Sequence, residues 1–150
     1  MNWTLRTKPD PVLKQKCELV ESISSWHRNL AEAMVRTAQE KGGIGIAAPQ
    51  LGELVRIICI RWGEEWITLV NPTILRMSPQ VFGSLEKCLS LPEGAVYRIQ
   101  RPKITRVMGS DLEGDMGAIK GRDILSAALC HEIDHLSGVL IDEKGPLATF

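Results

Sequence analysis

Neither sign of charge dominates this 150-residue chain, since 18 Lys and Arg are matched by 18 Asp and Glu. A global basic field of the kind that gathers nucleic acid or anionic lipid is thereby excluded. One local basic segment, "YRIQRPKITR" at 97–106, is best read on composition as an exposed strand with solvated charges, so no specific nucleic-acid partner is expected. No apolar run approaches the about 18 residues of a membrane span. The polar start "MNWTLRTKPD" contains no signal-peptide core. The four cysteines, at 17, 59, 88 and 130, include no CxxC pair, which argues against a disulfide framework and for reduced thiols in the cytoplasm. Repeats, low-complexity tracts and long linkers are also missing, so residues 1–150 are read as a single domain able to bury a core. Long alternation of strands and helices is absent, which disfavours a doubly wound parallel sheet.

What is present begins with a stripe. Trp26, Leu30, Met34 and Ala38 recur at four-residue steps, predicting an amphipathic helix from about Ser24 to Lys41, stopped by Gly42-Gly43. A glycine-rich loop, "GGIGIAAPQLG" (42–52), follows. Two β-branched runs, 54–61 and 65–77, read as strands, the second interrupted at Asn71-Pro72. Residues 95–108 read as further strand, with a turn at "SDLEGD" (110–115). "RDILSAALCHEIDHLSG" (122–138) predicts a second helix, with Asp123 at its N-cap and Gly138 as its stop. The expected fold class is α+β: antiparallel or mixed sheets around a C-terminal helix, with one N-terminal helix.

Two of the three histidines lie on that second helix, in His131-Glu132-Ile133-Asp134-His135. Residues four apart share a helical face, so both imidazoles can reach one ion. Glu132, about 100° around the helix, is placed to move a proton without being a ligand. This H-E-x-x-H pattern needs a third ligand. A downstream histidine at the metzincin position is lacking, because that place holds Ile141. Glu143 lies just past the helix stop. His27 sits beside the first helix's apolar stripe, as surface and capping histidines do. Among the thiols, Cys59 lies in an apolar strand, Cys17 in a charged segment and Cys130 on another side of the helix. Elimination favours Cys88, in "LEKCLSLP", without closing the alternatives.

"GIGIAAPQ" (43–50), "EKCLSLP" (86–92) and "CHEIDHLSGVL" (130–140) together resemble the three ordered motifs of the peptide deformylases, G-x-G-x-A-A-x-Q, E-G-C-L-S and Q-H-E-x-D-H-L-x-G. "PDPVL" and the spacing between motifs fit as well. The resemblance implies Cys88, His131 and His135 as ligands of one divalent ion, natively ferrous iron, with zinc, nickel or cobalt as substitutes. It implies Glu132 as the general acid-base, and the Gln50 amide and Leu89 backbone N–H as oxyanion donors. It places Ile44, Leu91 and Ile124 in the walls of a methionine pocket and has Arg101 reach the peptide backbone. Gly43 and Gly45 would let the loop approach substrate closely, and Ala127 and Ala128 leave room above the metal face. Two residues depart from the family: Lys87 replaces glycine and Cys130 replaces glutamine.

The implied activity is hydrolysis of the formyl group from N-formylmethionine of nascent peptides, by a monomer. The short tail after His135 resembles the phage-type members, which lack the C-terminal helix that docks on the ribosome. A zincin-like peptidase is the first alternative, disfavoured by the missing downstream ligand. A non-catalytic metal-binding module is the second, disfavoured by Gln50, Cys88 and Glu132. The glycine loop has neither the Lys-Ser/Thr of a phosphate cradle nor a strand–GxGxxG–helix unit around it.

Overall fold

A computed structural model describes residues 2–149. Helix α1 spans Ser25–Glu40. Leu30, Met34 and Ala38 are fully buried on one stripe, and Ser24 occupies the N-cap. His27 closes the first turn, its Nδ1 accepting from the Ser24 N–H at 3.0 Å, so this histidine caps a helix. Gly42 takes a left-handed φ of +71° immediately after the last turn, a conformation that costs glycine nothing.

Five strands form the main sheet in the order β1 (Gly45–Ala47), β2 (Ile57–Trp62), β3 (Glu65–Met77), β6 (Ile104–Ser110) and β7 (Met116–Arg122). Strands β4 (Val81–Glu86) and β5 (Tyr97–Pro102) form a separate pair. Each of these pairings is antiparallel. With two α-helices among the described residues, the architecture is α+β. Helix α2 runs from Ile124 to Leu136.

The apolar run "IICI" explains how the layers stack. Ile57 and Cys59 pack with Leu30, Met34 and Ala38 of α1, whereas Ile58 and Ile60 pack with Leu129 and Leu136 of α2. Strand β2 is therefore covered on both faces, which is why its sequence is continuously apolar. Helix α2 is also fixed to β6 by polar contacts, the Thr105 and Ser126 hydroxyls lying 2.7 Å apart. Gly121 on β7 permits the approach, since a Cβ there would lie 2.9 Å from Leu129 Cδ1 and from the Leu125 carbonyl carbon.

Three expectations are refined. The 95–108 segment is two strands, not one. Pro102 has no N–H to extend a ladder, and the chain passes at Lys103 from the small pair to the main sheet. Strand β3 runs through Asn71-Pro72, absorbing the expected interruption as register shifts with Asn71 at φ +53°. Asp123 occupies the N-cap of α2, but its side chain makes no capping hydrogen bond.

Candidate active site

Helix α2 brings His131 and His135 to one face, and the turn after β4 delivers Cys88. One ligand atom from each lies within 4.8 Å of the others, and all three residues are buried. The Cys88 Sγ is 3.5 Å from His135 Nε2. His131 Nδ1 faces Glu86 Oε1 at 3.0 Å, which fixes the tautomer and leaves Nε2 for a metal. Cys88, His131 and His135 are the one group of metal-ligating geometry among the described residues.

The electrostatics suit a cation. Burial alone would pull the His131 imidazole down, but the Glu132 charge, Cys88 and Glu86 overcome it and hold the ring well above its ordinary value. The negative surroundings that favour a proton there also suit a cation. His135 is pushed well below its ordinary value by burial, by His131 and by Arg101, so it stays neutral and able to ligate. The cysteine, the two imidazoles and the anions around them fit one divalent ion.

Glu132 is 4% exposed, and its Oε1 has no hydrogen-bond partner. Burial raises its carboxyl to about 7, with Glu86 adding to the rise and His131 opposing it. A carboxylate poised there can both take and return a proton near neutral pH. Gly45 makes room for it, because a Cβ at that position would stand 2.7 Å from Glu132 Oε2.

Gln50, at the end of the glycine loop, is 1% exposed. Its Oε1 accepts from the Ala47 N–H at 3.0 Å. Its Nε2 donates to Ser90 Oγ at 3.0 Å and lies 3.8 Å from Cys88 Sγ. The amide is thus aimed by backbone and hydroxyl together. The N-terminal segment ties this arrangement down. The Arg6 N–H donates to Gln50 O at 2.7 Å and the Lys8 N–H to Ser90 O at 2.8 Å, while the Ser90 hydroxyl donates to Arg6 O at 2.7 Å.

A cleft of about 980 Å³ opens over these groups. Ile44, Gly45, Gln50, Cys88, Leu89, Leu91, Ile124, Ala127, Ala128, His131 and Glu132 all line it, so most of the residues singled out by sequence share one space. Arg101 does not. It is 3% exposed, its Nε and Nη2 clamp both Glu86 oxygens at 2.9 Å, and its Nη1 donates to Asp134 at 2.8 Å. The expectation that it reaches a peptide is corrected: its guanidinium is spent on two carboxylates behind the histidines.

Sequence reasoning assigned no role to Glu86, Ser90 or Asp134. Only the placement of Glu86 two residues before the cysteine, on alternate pleats of an extended chain, hinted that both face the same way. Lys87 has no left-handed backbone, so its replacement of glycine carries no conformational cost. Cys130 lies 3.4 Å from Thr105 Oγ1 on the sheet side of α2, away from the metal cluster. Cys59 is wholly buried beside Thr68 and Ala31.

A cysteine and two histidines at one buried point, a carboxylate beside them and an open cleft above define a metal-dependent hydrolase. The family is narrower still: the polypeptide deformylase model matches residues 3–146, and the chain belongs to that family. The peptide deformylase of Alkaliphilus metalliredigens is 43% identical over 140 residues, 93% of this chain and 94% of the relative. The crystal structure of a peptide deformylase from Synechococcus elongatus in complex with actinonin superposes with a TM-score of 0.91 at 32% identity, covering 96% of this chain and 79% of that one. A Met-Ala-Ser-bound class I type b deformylase from Acinetobacter baumannii gives 0.89 at 29% identity, covering 96% and 98%.

Proposed function

We propose that the chain, acting as one catalytic domain over residues 1–150, hydrolyses the formyl group from N-formylmethionine at the start of nascent peptides. The reaction consumes water, breaks the formyl carbon–nitrogen bond, and yields formate and a free peptide amine. The observation that carries this reading is the buried Cys88–His131–His135 cluster opening beside Glu132 into a cleft, in a chain of the deformylase family. The relative with Met-Ala-Ser bound supports it, because that tripeptide is what removal of formyl from formyl-Met-Ala-Ser leaves.

Cys88, His131 and His135 would hold one divalent ion, ferrous iron in the native protein, with zinc, nickel or cobalt able to substitute. When bound, the ion supplies Lewis-acid polarisation of water and of the formyl oxygen. Glu132 takes the proton of the attacking water on its carboxylate and returns it to the departing amine nitrogen. The Gln50 Nε2 and the Leu89 backbone N–H donate to the oxyanion that develops as the formyl carbon becomes tetrahedral. Glu86 holds the His131 ring, and Arg101 holds Glu86. Ile44, Leu91, Ile124, Ala127 and Ala128 enclose the methionine side chain, whose apolar surface suits these walls.

The enzyme is read as a monomer of the cytoplasm. Formate release from formyl-Met-Ala-Ser by iron- or cobalt-loaded protein tests the proposal. Internal cleavage of a blocked peptide without formate would instead indicate a zincin-like peptidase, and no turnover at all would indicate a binding module.

A further inference from the structure

The cleft wall carries a cation for which the proposed chemistry has no use. Lys87 lines the same cavity as Glu132 and Leu91, is exposed, and forms no ion pair among the described residues. Its neighbour Glu86 provides no countercharge, being turned to the buried side and clamped by Arg101.

Two free strand edges border the cleft. Among the described residues, strand β4 pairs only with β5 and β1 ends the main sheet; Ser84, Leu85, Glu86 and Gly45 all line the cavity. Such edges template an extended peptide. With the formyl group held among Glu132, Gln50 and Cys88, the peptide's amino end sits at the carboxyl end of β4. The rest of the peptide must then run back along β4, antiparallel to it. Side chains of paired strands alternate in step. On this segment Ser84, Glu86 and Cys88 are buried while Leu85 and Lys87 are exposed. The methionine side chain enters the pocket on the buried side, so the next side chain emerges on the side of Leu85 and Lys87.

We propose that Lys87 is a specificity-determining residue that favours an acidic side chain at the position following formylmethionine. This inference rests on the deformylase activity proposed above. Opposite charges on paired strands attract and like charges repel, so the preference has two sources, both acting before chemistry begins.

The test compares formyl-Met-Asp-Ser, formyl-Met-Ala-Ser and formyl-Met-Lys-Ser on nickel-loaded protein, with parallel equilibrium binding of the unformylated Met-Asp-Ser and Met-Lys-Ser. The expected order of kcat/KM is Asp, Ala, Lys, with about 2- to 5-fold between successive peptides, carried by KM with kcat nearly constant. The spread should shrink as salt is raised to about 0.5 M. Lys87→Gly and Lys87→Gln should merge the three values, and Lys87→Glu should invert their order. Equal values in the unsubstituted protein, or a preference that survives in K87G, overturns the proposal. Binding separates the two readings: if Met-Asp-Ser binds more tightly than Met-Lys-Ser but no formate appears, the deformylase reading fails while the charge selection stands.

Discussion

Glu132 combines a raised carboxyl, a solvent-poor position and an oxygen with no partner. Replacing it with glutamine keeps size and shape and removes only the ability to take a proton. Glu132→Gln is expected to bind metal with unchanged stoichiometry and to lose about 10²- to 10⁴-fold in kcat, read from metal analysis and formate release on the same sample. The thiols allow a separate test at this scale. Burial pushes Cys59 up to about 12 and Cys17 up to about 11, and raises Cys130 as well. Cys88 alone among the four lines the cleft. In metal-free protein at pH 8, iodoacetamide should therefore mark Cys88 first, and added nickel should protect it. Peptide mass mapping that finds Cys59 labelled equally fast would contradict the ligand assignment.

At the scale of elements, the connection between β4, β5 and α2 decides where the histidines stand. Arg101 of β5 links Glu86 of β4 to Asp134 of α2, so three elements meet at one guanidinium. Removing it strands two carboxylates, one of them deeply buried, and Arg101→Leu should lose about 3–5 kcal/mol of stability, measurable by urea unfolding. Burial would by itself raise the Glu86 carboxyl, yet hydrogen bonds from His131 and Arg101 hold it down at about 2 against an ordinary 4.5. A depressed folded-state value means that the stabilisation is complete above pH ~4.5 and lost as pH falls toward ~2. Unfolding followed across that window should show the loss in the unsubstituted protein and a flatter profile in Arg101→Leu.

The same elements show what a linear reading captures. The stripe of α1 and the H-E-x-x-H spacing of α2 are local periodicities, legible because each residue's partner lies three or four positions away. Strand β7 is not legible in the sequence because "MGAIKGR" has two glycines and little apolar alternation; its place is set by pairing with β6. Strand β4 has Gly83 and the same difficulty. The misreading of Arg101 has a different cause. An arginine in a basic segment looks exposed until its carboxylates arrive from residues 15 positions before it and 33 after it. The cluster was legible in its residues, and the network behind it only in three dimensions.

For the molecule as a whole, the proposed ligands sit on one helix and one turn joined through the core, so a bound ion would tie those parts together. Ligand binding to the folded state alone adds RT ln(1 + [L]/Kd), about 2.7 kcal/mol at one hundred times Kd. Nickel loading should raise the Tm and chelation should lower it, as followed by calorimetry; a Tm indifferent to metal would argue against a site built by folding. Residues 6–8 add a constraint of another kind. Their backbone is laced to Gln50 and Ser90 by three hydrogen bonds, so the Gln50 amide is tethered to a stretch more than 40 residues away in sequence. Trimming through residue 8 should leave the helical content seen by circular dichroism largely intact yet depress kcat, which makes residues 6–8 a poor place for a cloning scar or a cleavage site.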